Sequence, residues 1–309
     1  EAIKHKIVIL GAGFAGLFAL KSIYRHVKNW RDFDILIIDR NNYFVFTPLL
    51  HEVATGGVNP ADIVFPIRDL AKGRTEHLEA EVFSVDLLKK SVVTNKGEVS
   101  YDYLISALGA GTNFFGIPGA GEYAFTLKNV NDAIKLKNHL THIFDEANNE
   151  KDLERQKDIL RIVIIGGGAT GVELGAEIHE FLKEVNKEYP RIFEDAVEFY
   201  LIEAGDKLLP IFHPKFSEKA FKIMQKKGFK IIFKDPCAKV TEQGIICISN
   251  KEIKSRTIIW TSGVLPSQIA MTPELTRQKN RIVVEPSLNL KDFPEVFVIG
   301  DLAAVSDKK

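Results

Sequence analysis

Cysteine is scarce in this sequence, with two in 309 residues, Cys237 and Cys247. They stand ten apart and form no Cys-x-x-Cys spacing, which argues against a disulfide framework, a zinc site and a dithiol redox pair. Both lie in or beside apolar, strand-like stretches and read as packing residues. Long hydrophobic runs are missing as well, since nothing approaches the roughly 20 apolar residues of a membrane-spanning helix. An excess of one charge sign is also missing. Forty-one basic residues balance 41 acidic ones, so no overall field draws the chain to nucleic acid. Lysine clusters such as "KIMQKKGFK" fit the solvated face of an amphipathic helix. What is present is 45% hydrophobic content with mixed charge, the composition of a soluble globular chain long enough for two domains.

Near the start, "KIVILGAGFAGLFAL" holds a β-branched strand from Ile7 to Leu10, then Gly11, Gly13 and Gly16 in G-x-G-x-x-G spacing, then a helical pattern. The basic and apolar residues imitate a secretory signal, but the glycine spacing has a better account. The first glycine allows a tight turn, the second lets backbone approach a pyrophosphate, and the third lets helix pack on strand. "DILIIDR" adds a second buried strand ending in Asp39, 23 residues beyond Gly16, where a carboxylate can accept hydrogen bonds from a ribose.

The pattern recurs. "RIVIIGGGATGVELGAEI" places Gly166, Gly168 and Gly171 after a strand, and "VEFYLIEAG" ends a strand at Glu203, 32 residues past Gly171. "HEFLKEVNKEYPRIFEDA" supplies the extra length by extending the crossover. Each unit also has a later strand running into glycine, "YDYLISALGAG" into Gly109 and "SRTIIWTSGVLP" into Gly263. Gly11 to Gly109 spans 98 residues and Gly166 to Gly263 spans 97. Chance turns would not share that separation, so the chain reads as two homologous dinucleotide-binding units.

Between the units, "NVNDAIKLKNHLTHIFDEANN" carries apolar positions at helical spacing behind cap-type Asn131 and Asp132, and predicts a core-facing helix. The charged stretch "NNEKDLERQKD" is expected to be an exposed connection. The final segments "RIVVEPSLNL" and "VFVIGD" are strand-like. If the second unit is inserted into the first, they return to the first and bring Asp301 to its nucleotide. The expected architecture is α/β, with two Rossmann-like domains: a discontinuous one over residues 1–116 and 280–309, and a second over 117–279 inserted into it.

The runs "GAGFAGL", "TPLLHEVATGG", "DIVFPIR", "YDYLISALGAGTNFFGIPG", "GGGATGVELGAEI", "IIWTSGV" and "VFVIGDLA" are similar, in order and spacing, to the two-dinucleotide flavoproteins. The chain most resembles the type II NADH dehydrogenases among them, over essentially its whole length. The resemblance implies FAD in the first unit and NADH in the second. It assigns Gly11, Gly13, Phe14, Ala15, Gly16, Asp39, Arg40, Thr47, Val82, Ala107, Gly109, Gly300 and Asp301 to the flavin, with Asp301 reaching its ribityl chain. To NADH it assigns Gly166, Gly168, Thr170, Gly171, Glu173, Glu203 and Gly263. Glu173 would contact the nicotinamide carboxamide and take part in proton relay. Glu203, followed by Ala204 and Gly205 with no adjacent Arg, favours NADH over NADPH. "TPLLHEVATGG" reads as a short helix with Thr47 as N-cap, Pro48 at the first helical position and Gly56 near the C-cap. The resemblance places Thr47 at the flavin ring and Pro48 near the electron acceptor. His51, beside Glu52, reads as a solvated or hydrogen-bonded side chain before it reads as a proton donor.

The implied reaction takes a hydride from NADH to the flavin and passes electrons to a quinone, menaquinone or ubiquinone, without proton pumping. The family continues past its Gly-Asp strand with an Ala-Gln helix and amphipathic helices that attach it to the membrane. The sequence reaches Lys309 without them, so those elements and part of the acceptor site are expected outside it. The location that follows is cytoplasmic, or peripheral on the inner face of the cell membrane, and a homodimer stays open. Sulfide:quinone reductases share the layout but need cysteines near the flavin, and disulfide reductases need a Cys pair after the first glycine motif. Reduction of a small electron-carrier protein remains an alternative, as does a non-catalytic flavoprotein module of the kind apoptosis-inducing factor represents.

Overall fold

The computed structural model describes residues 4–29, 32–71, 75–193 and 195–305. The chain divides into two compact units, one of Glu1–Val45, Val64–Gly111 and Leu265–Lys309, the other of Phe46–Ile63 and Thr112–Val264.

The first unit is built on a five-stranded parallel sheet whose centre is the strand His5–Leu10. Phe33–Asp39 pairs with it on one side and Tyr103–Ser106 on the other, and Glu76–Glu79 extends the sheet beyond Phe33–Asp39. The outer strand on the remaining edge is Val296–Val298, parallel to Tyr103–Ser106. The last segment of the chain therefore closes the sheet that the first segment opened. Val8, Ile9 and Leu10 are fully buried between the helix Phe14–His26 on one face and the residues around Val85, Tyr101 and Met271 on the other. Burial on both faces is why this strand is an unbroken apolar run, and each such side chain contributes about 1.5–3 kcal/mol.

The second unit repeats the plan. Its parallel sheet runs Phe229–Phe233, Phe199–Glu203, Ile162–Ile165, Thr257–Trp260, with Ile162–Ile165 flanked by the strand that ends in Glu203 and the strand that leads to Gly263. The helix Ala169–Val185 follows Ile162–Ile165 as Phe14–His26 follows His5–Leu10. An antiparallel sheet of Cys237–Thr241, Gly244–Cys247 and Glu252–Lys254 covers one face. Cys237 and Cys247 are register partners in it, both free and buried. Burial pushes the Cys237 thiol up to about 11 and raises Cys247 as well, so both stay protonated and act as packing groups.

Five sequence expectations meet a different structure. Residues 265–279 join the first unit rather than the second, because Ala270–Thr272 pairs in parallel with Val82–Asp86. Residues 46–63 sit in the second unit, because the helix Leu50–Thr55 packs against Val130–Asn149 and Ala169–Val185. Thr47 is not an N-cap: it opens a 3-10 turn, Thr47–Leu49, with Phe46 before it and no side-chain cap bond, although Gly56 does end the following helix in left-handed backbone at φ 80°. The helix expected behind Asn131 and Asp132 is instead capped by Asn129, whose side chain accepts from the Asp132 amide at 2.9 Å. The stretch expected to be an exposed connection also folds, into the helix Leu153–Leu160. Its Gln156 is fully buried and donates through Nε2 to the carbonyls of Ala147, Glu150 and Arg191. A buried amide with three acceptors satisfied orders a segment whose charge pattern alone reads as loop.

Candidate functional site

In the first unit, Gly11 ends the central strand at φ 92°, and its amide donates to Ile38 O at 2.8 Å. Phe14–His26 then starts behind Gly13, which occupies the cap position with no side chain to engage the first-turn amides. A Cβ on Gly16 would lie 1.9 Å from Gly11 O, so only glycine lets the helix come this close to the loop. A Cβ on Gly13 would meet nothing within 4 Å: that position faces open space. Asp39 closes the loop from the neighbouring strand, its Oδ2 accepting from the Ala12 amide at 2.7 Å and its Oδ1 from the Asn41 amide at 2.9 Å.

The second unit reproduces this arrangement bond for bond. Gly166 has φ 115° and donates to Ile202 O at 2.9 Å, and a Cβ on Gly171 would lie 1.9 Å from Gly166 O. Gly168 holds the cap position with open space beyond it. Glu203 takes the place of Asp39, its Oε2 accepting from the Gly167 amide at 2.7 Å and its Oε1 from the Gly205 amide at 2.6 Å. In each unit the carboxylate is held by two backbone donors, one on each oxygen.

A cavity of about 430 Å³ opens at the carboxyl edge of the first sheet, where nucleotides bind in open α/β sheets. Gly11, Gly13, Asp39, Arg40, Val82, Ala107 and Gly109 line it, so seven residues predicted for the flavin converge on one space. Gly16 shapes the loop from behind, while Phe14 is exposed with its ring edge-on to Phe44. Ala15 meets Gly300: a Cβ on Gly300, at φ 70°, would lie 2.9 Å from the Ala15 Cβ. Asp301 follows on an exposed 3-10 turn, Gly300–Leu302. The cavity also takes Glu81, Ser267 and Ile269, which sequence reasoning missed. The Ser267 amide, donating to Gly109 O at 3.0 Å, and the pairing of Ala270–Thr272 with Val82–Asp86 bring them there, contacts that join stretches far apart in the chain.

In the second unit Thr170 and Glu173 are exposed on Ala169–Val185, with Glu173 in its second turn rather than the first. Thr47 and Pro48 belong to this unit, exposed on the 3-10 turn that leads into Leu50–Thr55, and that helix packs on the one carrying Glu173. His51 is half-exposed on the same short helix. The structure thus places the turn predicted for the flavin ring and the acid predicted for nicotinamide on adjoining helices of one unit.

Residues 5–308 match the family model described as pyridine nucleotide-disulphide oxidoreductase. A type II NADH:quinone oxidoreductase of Staphylococcus haemolyticus is 30% identical over 97% of this chain and 75% of its own length. The type II NADH:quinone oxidoreductase Ndh of Mycobacterium tuberculosis is 31% identical over 98% of this chain and 68% of its own. Among solved structures, NDH2 of Plasmodium falciparum in complex with NADH superposes with a TM-score of 0.88 at 28% identity, covering 98% of this chain and 65% of that one.

Proposed function

Because the chain belongs to the pyridine nucleotide-disulphide oxidoreductase family, and within it to the type II NADH:quinone oxidoreductases, we propose that it oxidises NADH through FAD and delivers the electrons to a quinone. The observation that carries this reading is the pair of equivalent loops, each closed by a carboxylate at 2.7 Å from a loop amide. Two such loops in one chain hold two dinucleotides, and one of each kind is what transfer from a nicotinamide to a bound flavin needs.

The residues present fit an FAD in the first unit. Gly13 leaves open space where a pyrophosphate must approach, the cavity extends from it along Asp39, and the helix start behind it presents its positive end. An FAD held there would supply the two-electron redox chemistry that side chains lack. Gly11, Gly13 and Gly16 set the path of the loop under the pyrophosphate, Asp39 receives the adenosine ribose, and Asp301 receives the ribityl hydroxyls. On the second loop Gly166, Gly168 and Gly171 do the same for NADH, and Glu203 receives its ribose. Glu203 disfavours a 2′-phosphate by charge and so selects NADH. Glu173 orients the carboxamide, and Thr47 and Pro48, on the turn that leads into the helix packed against its own, serve the acceptor side. Hydride transfer needs no acid or base, so the residues act mainly by positioning.

Quinones reside in the bilayer, and this reading puts the protein at the inner face of the cell membrane, attached peripherally. Among the described residues no helix is long and apolar enough to cross a membrane. The deciding experiment is anaerobic addition of NADH to the purified flavoprotein. The flavin band near about 450 nm is expected to bleach and to return when a quinone is added. An unbleached band under excess NADH would sink the proposal.

A further inference from the structure

The two units agree closely around their glycine loops, which makes a divergence beside them informative. In each, the strand beside the central one runs into a glycine turn at the carboxyl edge, and the bonds leading there match: the Ala107 amide donates to Leu10 O at 2.8 Å, the Thr261 amide to Ile165 O at 2.9 Å. Gly109 and Gly263 each follow two residues later, at φ 63° and 75°. At Gly109 a Cβ would meet nothing within 4 Å, and the turn lines the open cavity. At Gly263 the same direction is filled. A Cβ there would lie 2.6 Å from Cε2 of Phe115, 2.7 Å from its Cζ and 2.7 Å from Asn113 O.

Phe115 does not hold that place for its own stability. Its backbone is left-handed at φ 51°, a strained conformation for a bulky residue, and the residue stays 60% exposed, so little burial offsets the strain. The neighbouring residues hold it there. Asn113 Oδ1 accepts from the Phe115 amide at 2.8 Å, Asn113 O accepts from Trp260 Nε1 at 3.0 Å, and the Phe114 ring packs on Trp260 with centroids 5.6 Å apart. The Asn113 amide reaches Gly263 O at 3.4 Å. Segment 113–115 is thereby fastened to the last strand residue, Trp260, and braces the glycine turn beyond it. Strain that persists where the surroundings enforce it, at a ligand-binding edge, is the signature of a functional constraint.

The geometry points to Phe115 as a positioning residue of the NADH half-site: its ring fixes the Gly263 turn at the height against which the nicotinamide end of the dinucleotide docks. This rests on the assignment of NADH to the second unit. Phe115 acts through Gly263; at Gly109 the Ser267 amide ties the turn at 3.0 Å, but among the described residues no side chain fills the space a Cβ would take.

The test uses the FAD-loaded protein and three chains: unaltered, Phe115→Ala and Phe115→Tyr. Equilibrium binding of NAD⁺ by calorimetry, FAD content and thermal midpoint are measured for each, with KM for NADH and kcat alongside. Phe115→Ala is expected to weaken NAD⁺ binding and raise KM by about 5- to 10-fold with FAD content unchanged and the midpoint unchanged or higher, while Phe115→Tyr stays within about 2-fold of the unaltered chain. Unchanged NAD⁺ binding in Phe115→Ala would overturn the inference alone. A fall in midpoint and FAD content parallel to the binding loss would also overturn it, because it would show a merely structural role. Failure of the unaltered protein to bind NAD⁺ would instead remove the NADH assignment beneath it.

Discussion

Glu203 accepts a hydrogen bond from the amide of Gly167 at 2.7 Å, across the mouth of the second glycine loop. The carboxylate is held by this bond and by the Gly205 amide, so it is oriented in advance for the ribose that the proposed function brings to it. Replacing it by alanine removes the lock on the loop and, on the proposed reading, the ribose acceptor. Glu203→Ala is expected to weaken NADH binding by about 10-fold or more, the scale of a hydrogen bond to a charged group, with FAD retained. Asp39→Ala should give the mirror result, FAD loss with NADH binding kept. A titration in which both substitutions impair the same nucleotide would contradict the assignment of one dinucleotide to each unit.

Gly13 and Gly16 make separable predictions although they share one loop. Gly13 has φ −74°, a conformation alanine adopts freely, and a Cβ there meets nothing. Gly13→Ala should therefore leave the stability of the cofactor-free protein within about 0.5 kcal/mol of the original while abolishing FAD retention, because the methyl would occupy the space the proposed pyrophosphate needs. Gly16→Ala forces a Cβ to 1.9 Å from a backbone oxygen and should destabilise the protein by about 3 kcal/mol or prevent its folding. Differential scanning of the stripped proteins distinguishes the two, and equal destabilisation would be the contrary result.

Much of this site was legible because it is local. Glycine spacing, the acidic residue ending the next strand and the matching downstream glycines are all short-range patterns that the backbone imposes on sequence, and the closing strand Val296–Val298 shows itself by its apolar run into Gly300. What stayed hidden depends on partners far along the chain. Residues 46–63 carry no mark that their helix packs on Val130–Asn149. Leu153–Leu160 reads as loop because its charged residues outnumber the three it buries, Gln156, Ile159 and Leu160. The brace of Phe115 on Gly263 joins two stretches that only the fold brings together.

Glu173 is exposed in the second turn of the helix behind the second glycine loop. Its place beyond the first turn sets it apart from a simple partner of the helix dipole, and on the proposed reading it contacts the nicotinamide carboxamide. Glu173→Ala is expected to raise KM for NADH by about 10-fold with FAD content and melting temperature unchanged. Glu173→Gln, which keeps a hydrogen-bonding end, should recover part of the loss. Flavin loss in step with the KM change would argue for a structural side chain instead.

The second unit also carries a pH-dependent element apart from either loop. His139 packs its ring on Phe125 at 4.5 Å between centroids, and its Nε2 lies 2.8 Å from Thr257 Oγ1. Burial, with His142 and Arg256 adding positive charge nearby, pushes its pKa down to about 4. The unfolded chain binds a proton near pH 6.5 while the folded one resists until about pH 4, so stability from the neutral ring is complete above pH 6.5 and is lost as pH falls through that window. The ceiling of about 3 kcal/mol set by such a shift drops to about 2 kcal/mol for a ring that keeps some solvent contact. Urea midpoints measured from pH 7.5 to 4.5 should therefore fall more steeply for the unaltered protein than for His139→Gln, which preserves a hydrogen bond to Thr257 without a titrating group. Parallel slopes in the two proteins would place the acid sensitivity elsewhere.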